Sequence, residues 1–413
     1  MRKVPKLRFK EFTDEWEEKK LGEIAEIKGG YAFKSNKFLN TPSKYQVIKM
    51  GNLYQNKLLL DRNSSFMEEI NEKEKEYLLN KDDIILTLTG TVGKKDFGYS
   101  YKINNENNLL LNQRLACIKM KYEKYSADFF KDIIKHKSFL DKFFELSIGG
   151  TGNQANVSIK DIENIKINIP IFSEQQKIAN FLSNVDKKIS LTEEKLELFK
   201  EYKKGVMQKI FSQELRFKDN EGNDYPEWKE KRFNKIANIY DGTHQTPKYV
   251  EKGIPFYSVE NITNNDFINV KFVSEEEYIK NNRKRKIEEN DILMTRIGNI
   301  GESKLIDWEI IADFYVSLAL IKLKDRIYPS YINQFIKSKF FQKELDKRTL
   351  KVAFPQKINL TEIGECLIKL PVLEEQQKIA DFLSSIDSKI EKIEKELENL
   401  KEFKKGLLQQ MFI

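Results

Sequence analysis

The chain has 413 residues, 40% hydrophobic and 12% aromatic, and Lys plus Arg outnumber Asp plus Glu by 72 to 64 for a formal charge of +8. That length calls for two or more domains, the apolar content excludes a disordered chain, and the mild positive excess favours a polyanionic partner without proving one. Cys117 and Cys366 lie far apart in apolar stretches, which lack the spacing of a disulfide or metal framework and read as buried thiols in a reducing, cytoplasmic compartment. The start of the chain turns at once to charged residues and no apolar run reaches membrane-span length, so a soluble intracellular protein is expected.

In chain order, Leu7-Arg8-Phe9-Lys10 and Glu15-Trp16 open a first domain assigned to residues 1–170. Its β-branched and aromatic runs, Tyr45-Gln46-Val47-Ile48 and Ile84-Ile85-Leu86-Thr87-Leu88, are bounded by Gly and Asn and read as strands, whereas the Glu-, Lys- and Phe-rich stretch 123–146 reads as helix. Residues 171–212 read as one long central helix. A second domain, 213–371, follows with strands at Ile254-Pro255-Phe256-Tyr257-Ser258-Val259 and Ile292-Leu293-Met294-Thr295 and helix near 329–347. Residues 372–413 form a second long helix. Each domain is expected to be of α+β type with a twisted sheet.

The second half repeats the first. Residues 170–211 align without a gap on 371–412, with 23 of 42 positions identical, including Glu174-Gln175-Gln176-Lys177-Ile178-Ala179 against Glu375-Gln376-Gln377-Lys378-Ile379-Ala380. Weaker echoes match Leu7-Arg8-Phe9-Lys10 to Leu215-Arg216-Phe217-Lys218, Trp16 to Trp228, and Asp83-Ile84 through Gly90 and Gly93 to Asp291-Ile292 through Gly298 and Gly301. This is duplication of a whole domain.

Within the helices, apolar residues recur in steps of three and four: Ile178, Leu182, Val185, Ile189, Thr192, Leu196, Phe199, Lys203, Val206 and Ile210, then Ile379, Leu383, Ile386, Ile390, Ile393, Leu397, Leu400, Lys404, Leu407 and Met411. That is a heptad seam, too narrow for a fully buried helix, and the matched registers point to the two helices packing on each other. Lys203 and Lys404 interrupt both seams at the same place and should meet a carboxylate or reach outward. A helix over 173–211 runs roughly 58 Å at about 1.5 Å per residue, more than a domain diameter of roughly 40 Å. An antiparallel pair is therefore expected, with pseudo-twofold symmetry, and residues 412–413 beside the opening segment would imitate the continuous run 211–217.

This architecture, with Pro followed by Glu-Gln-Gln-Lys-Ile-Ala and Phe-Leu in both copies, the opening Pro5-Lys6-Leu7-Arg8-Phe9 with Trp16, and Asp241-Gly242-Thr243-His244-Gln245-Thr246-Pro247, resembles the DNA-specificity subunit of type I restriction-modification enzymes. The resemblance covers essentially the whole chain. It implies two target-recognition domains reading a bipartite, asymmetric DNA site, paired helices that set the spacer, methyltransferase subunits, two by expectation, docked along those helices, and restriction subunits completing the assembly. On the helices it points to Gln175, Gln176, Phe181, Gln376, Gln377 and Phe382 as partner-binding residues. It also implies no cofactor in this chain, S-adenosylmethionine on the methyltransferase, and ATP and Mg on the restriction partner. A rod of roughly 58 Å matches roughly 17 base pairs at about 3.4 Å each.

Candidate DNA contacts are polar residues on loops, since Arg can clamp guanine, Asn or Gln adenine, and Lys phosphate. They are Thr91, Lys94 and Lys95 in the glycine loop Thr89-Gly90-Thr91-Val92-Gly93-Lys94-Lys95; Arg296 and Asn299 in its counterpart Arg296-Ile297-Gly298-Asn299-Ile300-Gly301; Gln113 and Arg114; His244 and Gln245; and Arg283 and Arg285 in a basic run. Thr151-Gly152-Asn153-Gln154 and Phe354-Pro355-Gln356-Lys357 occupy equivalent places before the last strand of each domain. Tight strand connections and a solvated helix face are the competing readings. Catalytic signatures fare poorly: the only histidines, His136 and His244, fall in different halves, and neither a phosphate-binding nor a dinucleotide-binding glycine motif nor an Asn/Asp-Pro-Pro-aromatic stretch occurs. A non-catalytic subunit is expected; a coiled-coil scaffold with protein-binding ends and a nuclease or modifying enzyme with an unrecognised site are the other classes.

Overall fold

The computed structural model describes residues 3–149, 154–281 and 286–413. Long helices span Phe172–Phe211 and Leu373–Met411. The first runs free of proline and glycine until Gly205 and ends where Gln213 turns into the left-handed region, φ 66°, a conformation incompatible with another helical turn. The chain divides into two compact units, Met1–Glu193 with Glu396–Ile413, and Glu194–Lys395. Each unit thus takes its own portions of both helices, so the compact units cut inside the helices, whereas the sequence division at 170, 212 and 371 sets each helix apart as a segment of its own.

In the first unit a four-stranded antiparallel sheet runs in the order Ala25–Gly29, Leu115–Met120, Ile84–Thr87, Ser100–Lys102. Ile118 stands opposite Ile27 on one side and Ile84 on the other, so one face of the sheet is apolar by alternation. Helices Ala127–Ile133 and Lys137–Glu145 cover that face, the first started by Ser126, whose hydroxyl accepts the Phe129 N–H. Phe129, Phe130, Phe139 and Phe143 from these helices join Trp16, Ile178, Leu182 and Phe412 in the core. A smaller three-stranded sheet, Leu109–Leu111, Tyr45–Ile48 and Phe66–Met67, has a core of its own.

The Glu194–Lys395 unit repeats this plan. Its principal sheet runs Ala237–Asp241, Leu318–Leu323, Ile292–Thr295, Ser303–Leu305 in the same order and sense. Helices Pro329–Ile336 and Lys339–Arg348 cover it, and Phe211, Tyr331, Phe335 and Phe341 fill the core. The strand and helix expectations of the sequence are met in both halves, except that the 254–259 run ends as a strand at Tyr257, where Ser258 caps the helix Val259–Asn264. So is the chain-end expectation: the Leu7 N–H donates to the Gln410 carbonyl at 2.8 Å, as the Leu215 N–H donates to the Lys209 carbonyl at 3.0 Å. A noncovalent junction in one unit thereby matches a continuous backbone in the other.

Within each unit the helix portions run antiparallel. In the first, Lys188 meets Glu396, Glu193 meets Lys401 and Asp186 meets Lys404; in the second, Lys200 meets Glu394 and Lys203 meets Asp387. The seam positions of both helices are buried or half-buried throughout. Lys203 and Lys404 have found carboxylates, Asp387 and Asp186, as the interrupted seams required. Pairs exposed to solvent add little stability; these two, on largely covered lysines, fix register.

Asp132 departs from this polar economy. It is fully buried, and neither carboxylate oxygen has a hydrogen-bond partner among the described residues. Its structural counterpart, Gln334, donates to Asp387 at 2.8 Å. Burial pushes the Asp132 carboxyl above the usual range, opposed by Lys135, Lys131 and Lys404 and reinforced by Asp186. A raised folded-state value means the unfolded chain loses its proton first, so this group's contribution is intact at acid pH and is lost as pH rises past the ordinary carboxylate value of 3.8. Asp132→Asn supplies N–H donors and does not titrate. It should raise the thermal midpoint at neutral pH, by an amount that shrinks on acidification; an unchanged or lowered midpoint at pH 7 would show the carboxylate to be compensated.

Candidate nucleic-acid surface

The candidate loops gather at one end of the principal sheet in each unit, drawn there by two glycines. A Cβ on Gly30 would lie 2.1 Å from the Asn112 carbonyl, and one on Gly242 would lie 2.2 Å from the Phe314 carbonyl. Only glycine permits that approach. It lets the following residues bond across: Tyr31 N–H to the Leu111 carbonyl and Thr243 N–H to the Phe314 carbonyl, both 2.9 Å.

Beside this crossing, both units use the same backbone frame. The Leu88 N–H donates to the Arg114 carbonyl at 3.1 Å and the Leu88 carbonyl accepts from Val157 at 3.1 Å; in the second unit the Arg296 N–H donates to the Ser317 carbonyl at 2.9 Å and its carbonyl accepts from Ile358 at 3.0 Å. In the first unit the Gln113-Arg114 turn, the glycine loop and Gln154–Asn156, which pairs with Thr89–Thr91, therefore come together. In the second, the Thr243-His244-Gln245 loop, the Arg296–Gly301 loop and Gln356-Lys357 do so, through the Val316 N–H on the Thr243 carbonyl and the Gly298 N–H on the Gln356 carbonyl.

The individual side chains fall into three groups. Lys94, Gln113, Arg114, Gln245 and Asn299 are exposed at these loops, available to a groove or a phosphate. Thr91, Lys95 and His244 are outward but engaged. Asp96 accepts both the N–H and the hydroxyl of Thr91, bonds that hold its carboxyl below the usual range. Lys95 lies 3.5 Å from Asp141 and over the Phe144 ring, and His244 Nε2 lies 2.5 Å from Asp241. Arg296 requires a correction to its expected outward pose: it is only 8% exposed, with Nε donating to the Val316 carbonyl and one terminal nitrogen to the Ile358 carbonyl. Its planar fork ties three loops together instead of presenting itself, and burial lowers its proton affinity. Arg283 and Arg285, with Thr151, Gly152 and Asn153, lie outside the described residues.

The helix residues divide similarly. Gln176 and Gln377 are exposed. Phe181 and Phe382 are half-buried and pack edge-on against Phe9 and Phe217. Gln175 and Gln376, expected at a partner surface, face inward and are each 1% exposed. Each side-chain amide donates to the carbonyl of the preceding proline, Pro170 or Pro371, at 2.9 Å; each side-chain oxygen accepts the N–H of a helix-capping residue, Ser126 or Tyr328.

Sequence reading passed over a buried cluster that recurs in both units. Glu174 is fully buried and receives both Nε and a terminal nitrogen of Arg8 at 2.8 Å, with the Trp16 indole N–H at 3.3 Å. Glu375, also fully buried, receives Arg216 at 3.2 and 2.8 Å and Trp228 at 2.9 Å. Such forked, charge-assisted bonds set the angle of a helix against its domain; they also raise the proton affinity of both guanidinium groups. The signal was present, since all three residue types recur in both halves.

Two like frames, each locked to a long helix and each displaying unlike loop side chains, define a duplicated recognition protein. The type I restriction modification DNA specificity domain matches residues 13–200 and again residues 225–402, and the chain belongs to that family. It is 28% identical to the MjaVIII type I restriction enzyme specificity subunit of Methanocaldococcus jannaschii, over 81% of this chain and 79% of that one. It is 23% identical to the EcoBI specificity subunit of Escherichia coli, over 94% and 82% respectively. The fold matches the crystal structure of a type I restriction-modification S subunit from M. genitalium with a TM-score of 0.63 at 19% identity, covering 99% of both chains. Among the described residues no helix is long and apolar enough to cross a membrane.

Proposed function

We propose that this chain is the DNA-reading specificity subunit of a type I restriction-modification assembly, each globular domain reading one half of a bipartite, asymmetric site. The observation that carries the reading is the repeated frame with unlike display: on one copy Thr91 and the exposed Arg114 stand where the exposed Asn299 and the buried Ser317 stand on the other. Equal backbones with different donors and acceptors read different bases. The helices set the spacer between half-sites and offer Gln176, Gln377 and neighbouring exposed positions to methyltransferase subunits, two by expectation. Restriction subunits join to make the cleaving complex. S-adenosylmethionine is bound by the methyltransferase and ATP with Mg by the restriction partner, so the purified chain alone should neither transfer methyl groups nor cut DNA.

The test is co-expression with the methyltransferase followed by genome-wide mapping of methylated adenines. Arg114→Ala should alter only one half-site and His244→Ala with Gln245→Ala only the other, at a discrimination loss of about 1–3 kcal/mol per lost base contact. A seven-residue insertion in the first long helix should change the spacer and leave both half-sites intact. Half-sites that change together, or a spacer indifferent to the insertion, would remove the reading.

A further inference from the structure

Val352 and Phe354 are the most exposed large apolar side chains among the described residues, at 99% and 103%. They crown a hairpin whose stem is held. The Leu350 N–H donates to the Lys357 carbonyl, and the Gly298 N–H donates to the Gln356 carbonyl, both at 2.8 Å. Lys357 forms bridges to both Leu350 and Ile297. The apolar tip is thus pinned beside the glycine loop of the second unit, within the loop cluster described above.

Its collar is basic. Lys343, Lys347, Arg348, Lys351 and Lys357 flank it in sequence against Glu344 and Asp346; Lys347 and Arg348 both pair with Glu344 at 2.8 Å, and Lys357 is exposed at the base of the tip. Lys351 is paired with Asp346 at 3.0 Å, but both side chains are more than half exposed, and such a pair is readily exchanged for a phosphate. Protein-binding cores are depleted of lysine. An apolar wedge within a basic collar suits a nucleic-acid duplex, whose phosphates flank a stack of flat apolar faces.

We propose that Phe354 is a DNA wedge: it inserts at or stacks on a base step of the bound duplex, with Val352 against the groove wall and Lys357 on the adjacent phosphate. The proposal rests on the DNA-reading function assigned above. It adds that the second domain reads deformability of the duplex as well as base edges.

The test uses the full chain carrying Phe354→Trp, with the unsubstituted chain as background for Trp16, Trp228 and Trp308, titrated with mixed-sequence duplex DNA at low salt in the presence of the methyltransferase subunit. Stacking on bases should quench the added indole, and added salt should reverse the quenching. Phe354→Ser should weaken duplex binding about tenfold, the order of one lost base–aromatic stack, and Lys357→Glu should lower affinity further. Unchanged emission and undiminished affinity, with the unsubstituted chain binding normally, would overturn the wedge and leave the DNA-reading function standing. A blue shift on adding the methyltransferase subunit without DNA would overturn it by assigning the tip to that protein. Failure of the unsubstituted chain to bind duplex at all would remove both.

Discussion

Glu375→Ala is expected to destabilise the Glu194–Lys395 unit by about 3 kcal/mol, because breaking a buried pair strands its partner. The carboxylate is fully buried and answers three donors, two on Arg216 and one on Trp228. Alanine removes both acceptor oxygens and all three hydrogen bonds at once, and among the described residues Arg216, whose side chain is 22% exposed, keeps only the Pro226 carbonyl as a hydrogen-bond partner. Glu375→Gln retains an oxygen for one donor but forfeits the charge, so it should fall between alanine and the unsubstituted chain. Glu174→Ala should reproduce the loss in the other unit, through Arg8 and Trp16. Denaturant midpoints measured against the exposed control Glu391→Ala decide the matter: equal midpoints would mean that the duplicated cluster is ornamental.

Phe412→Ala should cost about 3–4 kcal/mol as a large-to-small core substitution, and its effect should appear far away in sequence. Phe412 is 3% exposed, with its ring 5.4 Å from Phe129 and 6.5 Å from Trp16. Hydrogen exchange should therefore rise in Ala127–Ile133 and around Trp16, while Glu194–Lys395 keeps its protection. Phe211→Ala, whose ring is fully buried and 5.1 Å from Phe335, should show the converse. Loss of protection spread evenly over both units by either substitution would contradict the separate cores.

What could be read from the residues alone was what periodicity encodes. The helices, their shared register and the two lysines in want of carboxylates follow from spacing, and the structure pairs Lys203 with Asp387 and Lys404 with Asp186. Strands such as Ile292–Thr295 follow from β-branched runs between turns. Orientation was less legible. Arg296 sits in a loop, where an arginine ordinarily faces solvent, but the neighbouring turns at Val316 and Ile358 offer two carbonyls and draw it inward. Gln175 and Gln376 fall at helix starts rich in polar residues, and only the arrival of Ser126 or Tyr328 from a distant segment buries them. Duplication marked Arg8, Trp16 and Glu174 as a set, but a separation of 158 to 166 positions hides contact from any local pattern.

One unit is continuous in the chain and the other is completed by residues 396–413, which sets an order of assembly during translation. When the ribosome has made residue 193, the aromatic face around Phe129 and the stripe at Ile178 and Leu182 still lack Leu407, Met411 and Phe412. At about 5–20 residues per second, the remaining chain takes roughly 10–40 s to appear. The portion synthesised later can close first, and the portion synthesised earlier must wait with an open greasy flank. Nascent chains stalled between residues 193 and 396 should accordingly be the ones most strongly held by chaperones.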